Sequence, residues 1–139
     1  MKFLKYWFPV ILYCCMIFVV SSIPGNEIPS AVSVSDKLIH MTEYAILALL
    51  VARAYSQASQ RQWGIFCWVV VIAFVAFYGI TDEFHQSFVL GRSSDLHDWF
   101  ADLTGGGIGA AVYLFWKRLS RKKISNCALN INNDSKGLI

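Results

Sequence analysis

Residues 63–80 read WGIFCWVVVIAFVAFYGI, a stretch without a charged side chain. A helix needs roughly 17–25 residues to cross a bilayer, and this stretch is long enough. The other architecture that spans membranes is a closed barrel, whose strands alternate apolar and polar residues, and residues 68–78 do not alternate. The stretch therefore predicts a transmembrane helix.

Three further stretches are strongly apolar and long enough to span a bilayer: residues 6–23, 38–55 and 99–116. The chain has 139 residues, of which 56% are hydrophobic and 15% charged. This apolar content exceeds what the core of a soluble domain of that size needs. We predict an all-α fold, a four-helix transmembrane bundle over residues 1–124. Residues 125–139 are polar and are predicted to form a flexible cytoplasmic tail.

The basic residues predict how the bundle is oriented. Lys and Arg in short loops are retained on the cytoplasmic side of a membrane. Ten of the twelve cations precede the first span, flank the turn between the second and third spans, or follow the fourth span: Lys2, Lys5, Arg53, Arg61, Lys117, Arg118, Arg121, Lys122, Lys123 and Lys136. Lys37 and Arg92 are left for the opposite side. Both termini are therefore predicted to be cytoplasmic.

The first span has a second interpretation. Lys2 and Lys5, followed by an apolar run and the pair Ser21-Ser22, resemble a secretory signal peptide. We favour a retained helix because the apolar run reaches spanning length. Cleavage would leave the topology of the other spans unchanged.

Acidic residues are concentrated at the ends of the predicted spans. Carboxylates in or beside a bilayer are costly to keep, so they indicate a functional site. Positions three, four and seven apart share a helix face, which predicts three polar stripes near the outer membrane surface. The stripes consist of Asp36, His40 and Glu43; of Tyr78, Asp82 and Gln86, with Glu83 beside them; and of Asp95, Asp98 and Asp102. Helix capping and loop solvation are the alternative for Asp36, Asp95 and Asp98.

The formal charges of these stripes do not balance. Seven carboxylates face Lys37 and Arg92, an excess of five negative charges. Burial disfavours so much charge, so some carboxyl groups hold protons or a cation lies among them. Oxygen ligands alone would suit Mg²⁺ or Ca²⁺, and a contribution from His40 or His85 would favour Zn²⁺ or Mn²⁺. The candidate metal ligands are Asp82, Glu83 and His40, and the sequence does not establish a metal cofactor.

Arg92 can also be interpreted in two ways. An Arg on the non-cytoplasmic side opposes the usual charge bias. Its guanidinium either pairs with Asp95 or Asp98, or binds the anionic head group of a lipid or envelope precursor.

In the fourth span, the pattern Gly105-x-x-x-Gly109 favours close packing with a neighbouring helix over ligand binding. Such packing would bring the aspartates of this span near the other carboxylates.

Three motifs follow one another along the chain: Asp36-Lys37-x-x-His40-x-x-x-Tyr44, Asp82-Glu83-x-x-Gln86-x-x-x-x-Gly91-Arg92, and Asp98-x-x-x-Asp102-x-x-Gly105. Their order and placement resemble the VanZ-like family of small integral membrane proteins over residues 36–111. That family usually carries Asn where Asp102 stands and often Pro where Leu90 stands. Its founding member is associated with low-level resistance to the glycopeptide teicoplanin, and the family has no agreed biochemical activity.

These observations support a first hypothesis, a multi-pass envelope factor of the bacterial inner membrane. Its outward site would recognise a membrane lipid, a lipid-linked envelope precursor or an antibiotic, and so alter glycopeptide susceptibility. The candidate ligand-binding residues are Asp36, Lys37, Tyr44, Gln86, Arg92, Asp98 and Asp102. The sequence carries no nucleic-acid signature and does not indicate an oligomeric state.

Two other classes of function are open. An intramembrane enzyme would hydrolyse or transfer a group on a phospholipid or polyprenyl-linked precursor, with His40, Glu43, Asp82 and Glu83 as candidate catalytic residues. The sequence leaves it uncertain whether the chain is an enzyme at all. An ion- or proton-coupled transporter is less favoured, because the charges cluster at one interface rather than along a path through the membrane.

Overall fold

The computed structural model describes residues 2–27, 36–58 and 64–136, with side chains described over 3–26, 37–58 and 64–122. Four α-helices occupy these ranges: α1 Lys2–Ser21, α2 Asp36–Ala58, α3 Ile65–Gln86 and α4 Leu96–Lys136. A single 3-10 turn follows α1 at Gly25–Glu27, and the described residues contain no strand. The prediction of an all-α, four-helix fold is confirmed.

Three helices within the described residues are long and apolar enough to cross a membrane: Phe3–Ser21, Lys37–Ala58 and Ile65–Gln86. Large apolar side chains such as Phe8, Val69 and Phe77 point outward from them and are exposed. An apolar surface of this extent is typical of a membrane protein. The crossing predicted for residues 99–116 of α4 stays a prediction, because Asp102 and several glycines make that stretch less hydrophobic.

Two helices extend well past the spans that hydrophobicity predicts. α3 continues from Ile80 through its acidic residues to Gln86, and α4 continues beyond residue 116 to Lys136. Apolar content indicates where lipid contacts a helix, whereas backbone hydrogen bonding decides where the helix ends. The backbone of 125–136 is helical, and the flexibility predicted for this tail stays a prediction.

The core lies between α2 and α4, which share the most extensive contact, with α1 packed on α2 and α3 packed on both. Every helix contributes buried apolar residues to this core: Val10, Ile17, Tyr44, Leu47, Ala48, Val51, Ala52, Ala54, Val71, Val75, Ala110 and Tyr113. Four of them are alanines, three on α2 and one on α4, whose small side chains let backbones approach. Small interface residues of this kind are typical of helix packing in membranes.

The glycines of α4 set the distance between α4 and its neighbours. A Cβ added at Gly105 would overlap the carbonyl oxygen of Met41, and one at Gly109 would overlap the carbonyl oxygen of Ala45. The two carbonyl groups lie on consecutive turns of α2. The prediction that Gly105-x-x-x-Gly109 is a packing surface is therefore confirmed.

The loop between α3 and α4 is tied to the end of α1. The backbone N–H of Gly25 donates to the carbonyl oxygen of Leu90 over 2.9 Å. Gly91 adopts a positive φ of 74°, which side-chain-bearing residues rarely adopt. A Cβ at Gly25 would also overlap the carbonyl oxygen of Gly91. This contact fixes the loop that carries Arg92.

We expect Gly105→Ala or Gly109→Ala to destabilise the bundle by about 1–3 kcal/mol, because the added methyl group forces α4 away from α2. Gly107→Ala is the matched control, since its Cβ would meet nothing within 4 Å. Reversible unfolding in detergent micelles measures the difference. Equal stability of the Gly105 and Gly107 variants would contradict the packing role.

Candidate functional site

Two carboxylates at the end of α3 are held by different partners. Asp82 and Glu83 are buried there together with Gln86. The side-chain amide of Gln86 donates to Oδ2 of Asp82 over 3.1 Å, one helical turn away. The backbone N–H of Asp95, which precedes α4, donates to Oε2 of Glu83 over 2.9 Å. Asp82 is thus fixed within its helix, and Glu83 is fixed by the start of α4.

At this end of the bundle, two polar contacts join α2 to α4. Nζ of Lys37 donates to Oδ1 of Asp98 over 2.9 Å, and Nδ1 of His40 lies 3.1 Å from Oδ1 of Asp102. In the first contact Lys37 is exposed and Asp98 is buried, whereas both side chains of the second contact are buried. The partners are three residues apart on α2 and four apart on α4, so two facing stripes make both contacts.

Gly79 of α3 makes room for Asp102. A Cβ at Gly79 would lie 3.0 Å from Oδ2 of Asp102 and 3.1 Å from Cδ1 of Trp99. The indole N–H of Trp99 donates to the carbonyl oxygen of Ala76 over 3.1 Å and so holds α4 against α3. Sequence reasoning did not single out Gly79 or Trp99. A glycine within the apolar run 63–80 was the available signal of a close approach.

The site contains a compact group of potential metal ligands from three helices. One ligand atom each of His40, Glu83 and Asp98 lies within 4.8 Å of the other two, and all three residues are buried. We call this group the ligand trio. It shares His40 and Glu83 with the predicted candidates and has Asp98 where the sequence suggested Asp82. Asp82 instead pairs with Gln86.

Several buried polar atoms of the site have no hydrogen-bond partner among the described residues: Oε1 of Glu83, Oδ2 of Asp102 and Oη of Tyr44. Tyr44 is fully buried, with its ring centroid 6.2 Å from that of Tyr78. A buried acceptor without a partner is costly, and more so if it is ionised. The two carboxylate oxygens therefore call for a proton or a cation.

Arg92 reaches the same region from the loop between α3 and α4. A cavity of about 20 Å³ is lined by His40, Glu43, Asp82, Gln86 and Arg92, together with Val20, Ser21 and Ile39. Nε of Arg92 also donates to the carbonyl oxygen of Ile23 over 3.5 Å. The structure thus places Arg92 and half-buried Glu43 beside the predicted cluster. Binding of an anionic head group by Arg92 stays a prediction.

Asp95 caps α4, as the capping alternative predicts. Its Oδ1 accepts the backbone N–H of His97 over 2.9 Å and lies 2.7 Å from Nδ1 of the same residue. These hydrogen bonds, with the nearby charge of Lys37, lower the pKa of the Asp95 carboxyl group. Asp95 is thus ionised at the helix N-terminus, where negative charge is favourable.

Two predicted site residues lie elsewhere or cannot be placed. Nε2 of His85 lies 2.9 Å from Oγ of Ser22, and its ring packs on Phe18 with centroids 4.3 Å apart. His85 therefore joins α3 to the end of α1 rather than the carboxylate cluster. Asp36 is the first residue of α2, and its side chain lies outside the described residues.

An apolar pocket of about 370 Å³ opens beside the cluster, between the end of α3 and the start of α4. Its lining is mostly hydrophobic and consists of Ile80, Glu83, Phe84, Ser94, Asp95, Leu96 and Trp99. Glu83 belongs both to this pocket and to the ligand trio. The sequence did not predict the pocket, because it depends on how two helix ends face each other.

Comparison with known protein families gives a match over most of the bundle. The model of the VanZ/LLP1 family matches residues 6–117, from α1 into α4. The chain belongs to the VanZ/LLP1 family. No curated protein and no solved structure matches it. The resemblance inferred from the three motifs is confirmed, and in this VanZ-family membrane protein the described parts of those motifs meet at one end of the bundle.

In this VanZ-family protein we expect Asp102→Ala to cost about 1–3 kcal/mol, because it removes the buried hydrogen bond between Asp102 and the imidazole of His40. Asp102→Asn retains an oxygen that can accept the same hydrogen bond and should cost less. Both variants are compared with wild type by reversible unfolding in detergent micelles. Equal losses for Ala and Asn would show that the hydrogen bond to His40 contributes nothing to stability.

Proposed function

We propose that this VanZ-family protein is a multi-pass envelope factor of the bacterial inner membrane. Its outward-facing acidic site would recognise a membrane lipid or a lipid-linked envelope precursor and thereby alter susceptibility to glycopeptides such as teicoplanin. The observation that supports this most is the position of Glu83, which lies at once in the buried polar cluster and on the wall of an apolar pocket.

The pocket has properties that suit an amphipathic ligand. Ligand sites are typically concave, roughly 300–1,000 Å³, and mostly apolar with a few placed polar groups. This pocket has about 370 Å³, and its polar groups are Glu83, Ser94 and Asp95. Phe84 and Leu96 on its walls are exposed on the outer surface of the bundle. An acyl or polyprenyl chain could lie along these walls with its polar group beside the carboxylates.

The link to glycopeptides rests on the association of the family's founding member with teicoplanin resistance. A site that binds a lipid-linked precursor would provide a physical basis for such a link, because it could change which precursors are present or accessible at the membrane surface. The acidic character of the site favours ligands that carry an amine or are accompanied by a cation.

Deletion of the gene should change the minimal inhibitory concentration of teicoplanin or the profile of lipid-linked precursors. Complementation with Glu83→Gln, expressed at the wild-type level, should fail to restore either property because the variant loses the carboxylate that joins cluster and pocket. Thr104→Val is the control, since Thr104 is exposed and its hydroxyl donates within its own helix to Phe100.

Two outcomes would contradict the proposal. Deletion could leave antibiotic sensitivity and envelope composition unchanged, which would remove the envelope role. Glu83→Gln could complement as well as Thr104→Val does, which would separate that role from the acidic site.

One observation favours the enzyme alternative. The imidazole of His40 is buried and hydrogen-bonded through Nδ1 to Asp102, next to Glu83. A carboxylate that orients an imidazole is a common arrangement in general acid–base catalysis. Glu43, which the sequence suggests as a candidate catalytic residue, lines the same small cavity as His40, and the contact with Asp102 adds a second carboxylate that could orient the imidazole. A transporter finds less support, because the buried acidic residues within the described ranges gather at one end of the bundle.

If the protein hydrolyses or transfers a group on a lipid, Glu83→Gln should lower turnover by about 10²–10⁴-fold, the usual contribution of general acid–base catalysis. The assay follows conversion of phospholipid and polyprenyl phosphate by the purified protein in detergent. Thr104→Val again serves as control. Unchanged turnover in Glu83→Gln would remove Glu83 from the mechanism.

A further inference from the structure

We propose that His40, Glu83 and Asp98 bind a divalent metal ion of the Zn²⁺ or Mn²⁺ type. Their ligand atoms lie within 4.8 Å of one another and come from α2, α3 and α4. Nitrogen and oxygen ligands lie roughly 2.0–2.2 Å from Zn²⁺, so neighbouring ligands of one tetrahedral ion are about 3.4 Å apart. Closing the distances between the ligand atoms by at most about 1.4 Å would place all three around one ion.

An independent observation comes from the unpartnered oxygens. Among the described residues, Oε1 of Glu83 has no hydrogen-bond partner, although the Glu83 residue is only 6% exposed. Oδ2 of Asp102 also has no hydrogen-bond partner among these residues, whereas Oδ1 of Asp102 contacts His40. Buried carboxylate oxygens are normally hydrogen-bonded, paired or bound to a metal. A cation at the trio would satisfy Glu83 directly and offset the charge of Asp102.

Each member of the trio is oriented through one of its other contacts. The backbone N–H of Asp95 holds Oε2 of Glu83 at 2.9 Å. Lys37 holds Oδ1 of Asp98 at 2.9 Å, and a carboxylate can use its second oxygen separately. The surrounding structure therefore fixes both carboxylates before an ion arrives.

The contact between His40 and Asp102 has the form expected beside a metal. An imidazole that binds a metal through one nitrogen usually donates its other N–H to a carboxylate or carbonyl group. Here Nδ1 of His40 lies 3.1 Å from Oδ1 of Asp102, and with Asp102 ionised, its carboxylate can only accept, so Nδ1 carries the hydrogen. In that tautomer the lone pair for a metal is on Nε2. Asp102 would then be a positioning residue that acts through His40.

The donor set decides which ions fit. One imidazole nitrogen with two carboxylate oxygens is harder than the sulfur-rich sites of structural zinc and softer than the all-oxygen sites of Ca²⁺ and Mg²⁺. Zn²⁺ and Mn²⁺ accept such mixed ligands. The trio leaves coordination positions for water or for an oxygen of a ligand in the adjacent pocket, whose wall includes Glu83.

The chain provides a matched control within the same helix. Asp82 is buried at the same end of α3 as Glu83, but its Oδ2 accepts a hydrogen bond from Gln86 and it lies outside the trio. Asp82→Asn and Glu83→Gln each remove one buried carboxylate with little change of volume. A general loss of negative charge would affect metal binding equally in both variants, whereas the proposed site requires only Glu83.

The experiment uses the full chain in detergent micelles, stripped with a chelator and titrated with Mn²⁺ under electron paramagnetic resonance, with Zn²⁺ as competitor. We expect one ion per chain and a ¹⁴N coupling from a directly bound imidazole. Glu83→Gln and Asp102→Asn should weaken binding by about 10–100-fold, the effect usual for residues that bind or orient metal ligands. Asp82→Asn, which removes a nearby charge but no ligand of the trio, should weaken binding much less than Glu83→Gln does.

Three results would overturn the proposal: absence of stoichiometric binding of either ion to the folded wild type, equal affinity of Glu83→Gln and Asp82→Asn, or bound Mn²⁺ without ¹⁴N coupling. Circular dichroism and size-exclusion chromatography check that each variant is folded. If Glu83→Gln does not fold, the ¹⁴N coupling of the wild type decides alone. None of these measurements depends on the envelope function proposed above.

Discussion

The close approach of α4 to α2 is the constraint on which the site depends. Gly105 and Gly109 allow the α4 backbone to contact the carbonyl groups of Met41 and Ala45 on successive turns of α2. At that distance the short side chains of Asp98 and Asp102, on the turns before Gly105, can reach Lys37 and His40. A bulkier interface would separate these partners. The packing motif and the polar motif of α4 are therefore parts of one arrangement.

Burial of the carboxylates is a cost that the surrounding structure only partly offsets. Gln86, His40, Lys37 and the backbone of Asp95 satisfy one oxygen each on four carboxylates. Glu83 and Asp102 each retain one buried oxygen to which no described residue hydrogen-bonds. Natural proteins keep buried polar atoms without hydrogen-bond partners mainly at functional sites, where a ligand or proton satisfies them. Glu83 and Asp102 are therefore the two carboxylates whose burial is only partly offset by the described contacts.

Lipid-facing and polar surfaces meet at Glu83. The outer face of α3 exposes large apolar residues such as Phe77 and Phe84, as a helix in lipid does. One turn of the same helix end buries Asp82 and Glu83. A ligand that enters from the bilayer through the apolar pocket would thus reach the polar cluster without crossing water. This favours amphipathic molecules over soluble ones as ligands of the VanZ-family site.

The sequence by itself determined the helices, the polar faces, the packing glycines and the family. Apolar length predicts membrane helices because a span must satisfy its own backbone groups. Spacing of three and four residues predicts the stripes of α2, α3 and α4 because helical periodicity is local. The pattern Gly105-x-x-x-Gly109 predicts close packing because glycine has no side chain. Each of these features is encoded by residues that lie close together in the sequence.

Only the tertiary structure decided which polar residues become partners. His40 binds Asp102, Asp98 rather than Asp82 completes the trio, and His85 turns to Ser22 of α1. The room made by Gly79 and the pocket beside Trp99 also arise between helices. Each outcome depends on how far one helix is rotated and shifted against another. Those two quantities are set by packing over long sequence separations, and periodicity within a single helix does not contain them.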